Sequence, residues 1–129
     1  MKQNNYLKNI AISTFLLGSI IAVAQTPVLV KDIYSGTSNS NPEQLTDVNG
    51  TLFFVATTGT SGTGTGKELY KSNGTSAGTT LVKDIYIGGN SNPANLTNWN
   101  GTLYFTATDA THGTELWKTD GTTAGTVLV

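Results

Sequence analysis

The feature that most constrains this chain is that it repeats itself. Leu29-Val30-Lys31-Asp32-Ile33-Tyr34 recurs unchanged, 52 residues later, as Leu81-Val82-Lys83-Asp84-Ile85-Tyr86. Asn49-Gly50-Thr51-Leu52-Phe53-Phe54 returns as Asn100-Gly101-Thr102-Leu103-Tyr104-Phe105. Glu68-Leu69-Tyr70-Lys71-Ser72-Asn73-Gly74-Thr75 returns as Glu115-Leu116-Trp117-Lys118-Thr119-Asp120-Gly121-Thr122. Ala77-Gly78-Thr79 then returns as Ala124-Gly125-Thr126, by now 47 residues apart, because one loop of the first copy is longer. A period near 50 marks a propeller or another array of stacked supersecondary units. The chain divides accordingly into residues 1–24, a leading strand and linker over 25–43, a first repeat over 44–86 and a second over 87–129. Val129 falls where Lys-Asp-Ile would come next, so further repeats are expected beyond it.

Every segment of the repeat reads as β. Thr102 to Thr108 alternates, with Leu103, Phe105 and Ala107 on one face and Tyr104 and the threonines on the other. Leu52, Phe54 and Ala56 hold the same places in the first copy. Asn49-Gly50 and Asn100-Gly101 precede these strands, and that dipeptide favours the type I′ turn, in which both central residues need positive φ. A short strand is expected before each turn, over Leu45 to Val48 and Leu96 to Trp99. Glu68 to Lys71 and Glu115 to Lys118 form a third strand, closed by turns at Asn73-Gly74 and Asp120-Gly121. Thr79 to Tyr86 supplies a fourth, whose counterpart begins at Thr126. Four short antiparallel strands in about 50 residues describe one propeller blade. The expected fold is therefore all-β: two blade-like units of an incomplete propeller, preceded by a signal-peptide helix.

Residues 1–24 read as that signal. Lys2 and Lys8 give a positive start, Ile10 to Val23 is largely apolar, and Ala22-Val23-Ala24 offers the small-x-small pattern of a cleavage site before Gln25. The apolar run is shorter than the ~20 residues of a spanning helix, and no second one follows, so no membrane span is expected after cleavage. Between Gln25 and Val129 lie 22 threonines and 14 glycines, a strand-and-turn composition. Five lysines face eight acids there, and arginine is absent, which argues against a nucleic-acid partner. The absence of cysteine excludes a disulfide scaffold, a cysteine-based zinc site and a cysteine nucleophile.

The eight residues Glu115 to Thr122, followed by Gly125-Thr126, resemble the ELWxxDGT repeat of secreted bacterial proteins. The first copy, Glu68, Leu69, Tyr70, Gly74, Thr75, Gly78 and Thr79, departs from it in Tyr70 for the tryptophan and Asn73 for the aspartate. The resemblance covers essentially all of residues 25–129. It implies a propeller-like repeated β unit in a large exported or cell-surface protein, and it carries over no catalytic residue. Glu115, Leu116, Trp117, Asp120, Gly121, Thr122, Gly125 and Thr126 are on this reading a structural signature.

Other candidates are weaker. Ser61 to Lys67 fails as a phosphate loop, because Ser61 stands where glycine is needed and Glu68 follows the lysine. Asp109, His112 and Glu115 include a single imidazole, which argues against zinc. Calcium, using Asp109, Asp120 or backbone carbonyls, stays open, although no D-x-D-x-D spacing is present. Trp117 and Tyr70 are equivalent and read as packing residues, whereas Trp99 replaces Val48 and reads as the better surface contact for a ligand such as a sugar. Lys31 and Asp32, like Lys83 and Asp84, point to opposite faces of a strand and pair elsewhere if at all. Asn-x-Thr sequons at Asn49, Asn73, Asn95 and Asn100 mostly coincide with turns. No nucleophile–base pair is visible. The expected role is a non-enzymatic extracellular scaffold or adhesion module for a protein or glycan ligand. The alternative is an accessory domain, glycan-binding or not, of a larger exported hydrolase.

Overall fold

The computed structural model describes residues 26–59 and 64–129. The expected signal segment, with Ala22 and Ala24, lies outside them, as do residues 61–63 of the loop read above against a phosphate site. The described chain forms eight strands: β1 Glu43–Val48, β2 Thr51–Thr58, β3 Gly66–Ser72, β4 Thr80–Lys83, β5 Ala94–Trp99, β6 Thr102–Asp109, β7 Gly113–Thr119 and β8 Val127–Leu128. They make two four-stranded antiparallel sheets in chain order, β1-β2-β3-β4 and β5-β6-β7-β8.

The two sheets are copies in detail. Asn49 and Gly50, at φ 52° and 80°, and Asn100 and Gly101, at 50° and 80°, carry the two positive φ values of the tight hairpin. A bulge interrupts β1 between Glu43 and Thr46 and β5 between Ala94 and Thr97. Gln44 and Asn95 take left-handed conformations inside these bulges, at φ 55° and 57°. Because of the bulges the first strands start two residues before the expected Leu45 and Leu96.

Two expectations are corrected. Residues 26–42 hold no strand, and the fourth strand stops at Lys83 rather than running to Tyr86. The same physical reason covers both. After β4 the chain leaves the sheet to lie over the next one, and the leading segment, with the same Lys-Asp-Ile-Tyr sequence, lies over the first sheet in the same manner. Ser91 accepts the Thr108 N–H through its carbonyl at 2.8 Å, and Ser40 accepts the Thr57 N–H at 2.8 Å. These segments satisfy strand ends with single bonds instead of a ladder.

The core lies between the sheets. Val48, Phe53, Leu69 and Val82 from the first sheet and Ile85 from the linker pack with Leu103, Phe105, Ala107 and Trp117 from the second. β1 and β5 approach each other across this seam. A second cluster, Phe54, Ala56 and Tyr70 with Leu52 and Leu81, covers the other face of the first sheet, and Ile33 of the leading segment packs on it. The first sheet is therefore apolar on both faces, where alternation alone singles out Leu52, Phe54 and Ala56. The far face of the second sheet has no such cover.

Candidate functional site

The signature residues build one turn, twice. Asn73 Oδ1 accepts from the Thr75 N–H at 3.1 Å and from its hydroxyl at 2.7 Å. Asp120 Oδ1 does the same with Thr122, at 2.8 and 2.7 Å. The threonine hydroxyl in turn accepts the N–H of Gly78 or Gly125, each at 2.9 Å. Thr79 and Thr126 donate their hydroxyls back to the carbonyls of Thr75 and Thr122, both at 2.7 Å. Gly74 and Gly121 hold φ of 86° and 88°, where side chains are strained. A Cβ on Gly78 or Gly125 would stand 1.9 or 2.1 Å from the capping Asn73 or Asp120 oxygen. The Thr122 hydrogen bonds lower the Asp120 carboxyl from its ordinary value.

These turns are gripped from the neighbouring segment. Lys31 Nζ donates to the Thr79 carbonyl at 2.8 Å, and Lys83 Nζ to the Thr126 carbonyl at 2.9 Å. Lys83 also stands 5.8 Å from the centre of the buried Trp117 ring, whose Nε1 donates to the Ala107 carbonyl at 3.2 Å. Tyr70, in the equivalent place, bonds Thr58 Oγ1 through its hydroxyl at 3.2 Å and stacks on Phe54. Lys71 Nζ reaches across the seam to the Gly121 carbonyl at 2.7 Å. Asn98 Nδ2 donates to the Asp47 carbonyl at 3.0 Å, and Gln44 Nε2 to the Pro93 carbonyl at 3.3 Å. The repeated lysines thus bond carbonyls of the following unit rather than carboxylates.

Among the described residues, Glu68 is the one fully buried acid. Ser91 donates both its N–H, at 2.8 Å, and its hydroxyl to this carboxylate, and the Ile85 N–H adds a third bond at 3.3 Å. Beside it, the Asn90 side chain accepts the Lys67 N–H at 2.8 Å and the Asn92 N–H donates to the Lys67 carbonyl at 3.2 Å. Burial pushes Glu68 up to about 7; the three donors pull against that and the neighbouring Asp84 adds to it. Asp84 Oδ1 is buried without a hydrogen-bond partner. Sequence reading gives Glu68 only as a signature residue. The signal for its partner was present: serine precedes Asn-Pro in both copies, at Ser40 and Ser91.

The equivalent positions in the second unit are open. Leu69 is 0% exposed and its counterpart Leu116 is 45% exposed. Glu115 is exposed where Glu68 is buried. Trp99, 62% exposed, meets Tyr104 edge-on at a centroid distance of 5.6 Å. Both line a shallow depression of about 370 Å³ with Leu116. They occupy the places of Val48 and Phe53, which the first unit buries in the seam. On the opposite end of the molecule, Leu29, Val30, Ile33, Leu45, Leu52 and Phe54 line an apolar groove of about 380 Å³.

Asp109 and His112 lie in the β6–β7 turn. Asp109 Oδ1 accepts the N–H groups of Thr111 and His112 at 2.9 and 2.6 Å, and Oδ2 meets His112 Nδ1 at 2.7 Å. The His112 contacts hold the Asp109 carboxyl far below its ordinary range. Among the described residues no group of three or more His, Asp or Glu is placed to hold a metal ion. No helix among them is long and apolar enough to cross a membrane. No family model, curated protein or solved structure matches the chain.

Proposed function

We propose that this chain is a stretch of an exported, non-enzymatic repeat protein of the ELWxxDGT type. Its units are propeller blades, and its work is contact with protein surfaces outside the cytoplasm. One observation carries the reading: the segment leading into each unit is seated on that unit by the same contacts, twice. Lys31 and Lys83 grip equivalent turns, and Ser40 and Ser91 seat on equivalent strand ends. Surfaces built to be met by a like unit are the working surfaces of an array, whose repeats bury a continuous core only by stacking. The test begins with a host that exports the chain. N-terminal sequencing of the recovered protein is expected to start at Gln25; retention in the cytoplasm would overturn the exported part of the reading.

A second reading is favoured by one feature, the exposed Trp99 with Tyr104 edge-on beside it, a pair suited to stacking on a sugar. The repeat argues for the first, since these rings stand where Val48 and Phe53 serve the seam. A glycan array separates them. The scaffold reading expects no retained glycan, and binding that disappears in Trp99→Ala would replace it with the sugar-binding one.

A further inference from the structure

We propose that Asn100 is a self-modifying site: in water the Asn100-Gly101 pair loses ammonia ahead of the chain's other Asn-Gly pairs, and the product loosens the joint between the two sheets.

The same tripeptide occurs three times, as Asn49-Gly50-Thr51, Asn73-Gly74-Thr75 and Asn100-Gly101-Thr102. Glycine after asparagine leaves its backbone nitrogen unshielded, because it carries no Cβ. The Gly101 nitrogen gives its proton to hydroxide and attacks Asn100 Cγ. A nitrogen–carbon bond forms, the bond from Cγ to the amide nitrogen breaks, and ammonia leaves with a proton taken from water. Water then opens the succinimide ring at either carbonyl, giving aspartate or isoaspartate. The balance is asparagine plus water to acid plus ammonia, with no change of oxidation state. The attacking residue and the one after it are the same at all three sites, so the fold sets their order.

Asn73 is locked. Its Oδ1 accepts from the Thr75 N–H and hydroxyl, and its amide lies so near Gly78 that a Cβ there would stand 1.9 Å from Oδ1. Turning Cγ onto the Gly74 nitrogen breaks both bonds. Asn49 is held less firmly, with Nδ2 donating across the seam to the Gly101 carbonyl at 3.4 Å. The Gly50 N–H lies on the Asp47 carboxylate at 3.1 Å, whose negative charge opposes loss of that proton. The Gly101 N–H lies instead on the uncharged amide oxygen of Asn98, at 3.1 Å. Among the described residues the exposed Asn100 side chain has no hydrogen-bond partner, so its amide turns onto the Gly101 nitrogen without breaking one.

The site stands on the joint. Asn98 Nδ2 donates to the Asp47 carbonyl at 3.0 Å, and the Gly101 carbonyl accepts from Asn49. Isoaspartate carries the chain through the former side chain and inserts a methylene between residues 100 and 101. The tight turn, with φ of 50° and 80° at these residues, then loses its shape, and both bonds to the first sheet go with it.

Ageing the purified chain in mildly alkaline, isotope-labelled water tests this. Lysines 31, 67, 71, 83 and 118 place the three sites in separate tryptic peptides, where mass spectrometry reads the labelled acid. Breaking an ordinary hydrogen bond is worth up to about tenfold in rate, so Asn100 is expected to convert about tenfold faster than Asn73 or more, with Asn49 between them. In urea the three rates are expected to converge. The isoaspartate form, separated by ion exchange, is expected to show quicker amide exchange at the β1–β2 turn, on the sheet that carries no modification. Asn100→Gly keeps the positive φ and is expected to show no such change on ageing. The order of rates is read in the native sequence and needs no variant to fold. A folded chain in which Asn49 or Asn73 leads, all three convert at one rate or none converts overturns the proposal, as does the same order in urea. An isoaspartate form whose β1–β2 turn exchanges as before overturns the effect on the joint.

Discussion

At the scale of single residues, Glu68 concentrates most of the chemistry. A buried carboxylate is costly unless bonded, and three donors from the linker supply the bonds. Burial still holds its proton more firmly in the folded chain than in the unfolded one, with the value raised from 4.5 to about 7. The folded state then binds more protons across that window. Its stability contribution is fully present below about 4.5 and is lost as pH rises through about 7. Asp109 and Asp120 are shifted the other way and act below that window. Melting temperatures taken across it are expected to fall with rising pH in the native chain. Glu68→Gln is expected to flatten that slope. It should also cost roughly 1–3 kcal/mol, because its amide nitrogen faces the donors that one carboxylate oxygen accepts. A slope unchanged in Glu68→Gln would place the pH response elsewhere.

At the scale of elements, the hairpins were legible and the linkers were not. Asn49-Gly50 and Asn100-Gly101 announce their turns because few other dipeptides tolerate two positive φ values. Strand alternation in Thr102 to Thr108 then gives the buried set Leu103, Phe105 and Ala107 directly. Leu81 to Tyr86, in contrast, has the branched composition of a strand throughout, yet its second half departs at Lys83. What draws it away is the acceptor Glu68 and the far sheet, which local sequence cannot display. Trp99 reads as a surface residue and is 62% exposed; that it stands in the place of the buried Val48 shows only when the two units are compared. The signature turn offers a sharper test. Gly125→Ala forces Asp120 off the two Thr122 donors and is expected to cost roughly 1–3 kcal/mol. Asp120→Ala removes the obstruction, so the double variant should lose markedly less than the two single losses added together. Additive losses in a denaturant double-mutant cycle would mean that the glycine is needed for another reason.

At the scale of the whole molecule, the question is whether two small sheets behave as one body. Each sheet alone has four short strands and could bury only one face, which is marginal for independent stability. The seam changes this, because its cluster draws Phe53, Leu69 and Val82 from one sheet and Leu103, Phe105 and Trp117 from the other. Lys71, Asn98, Gln44 and Lys83 tie the polar margin across it. Phe105 is 1% exposed and lies within that cluster. Phe105→Ala is expected to cost about 3–5 kcal/mol, a large share of the 5–15 kcal/mol typical of a domain. The loss should not stay in the sheet that carries the mutation. Because the cavity opens against Phe53 and Leu69 as well, amide exchange is expected to quicken in β2 and β3 by the same factor as in β6 and β7. Tyr104→Ala, on the uncovered face of the same strand, is expected to leave β2 and β3 protected. Exchange that quickens in β6 and β7 alone after Phe105→Ala would show two independently folding sheets, and a seam that joins them without making them cooperative.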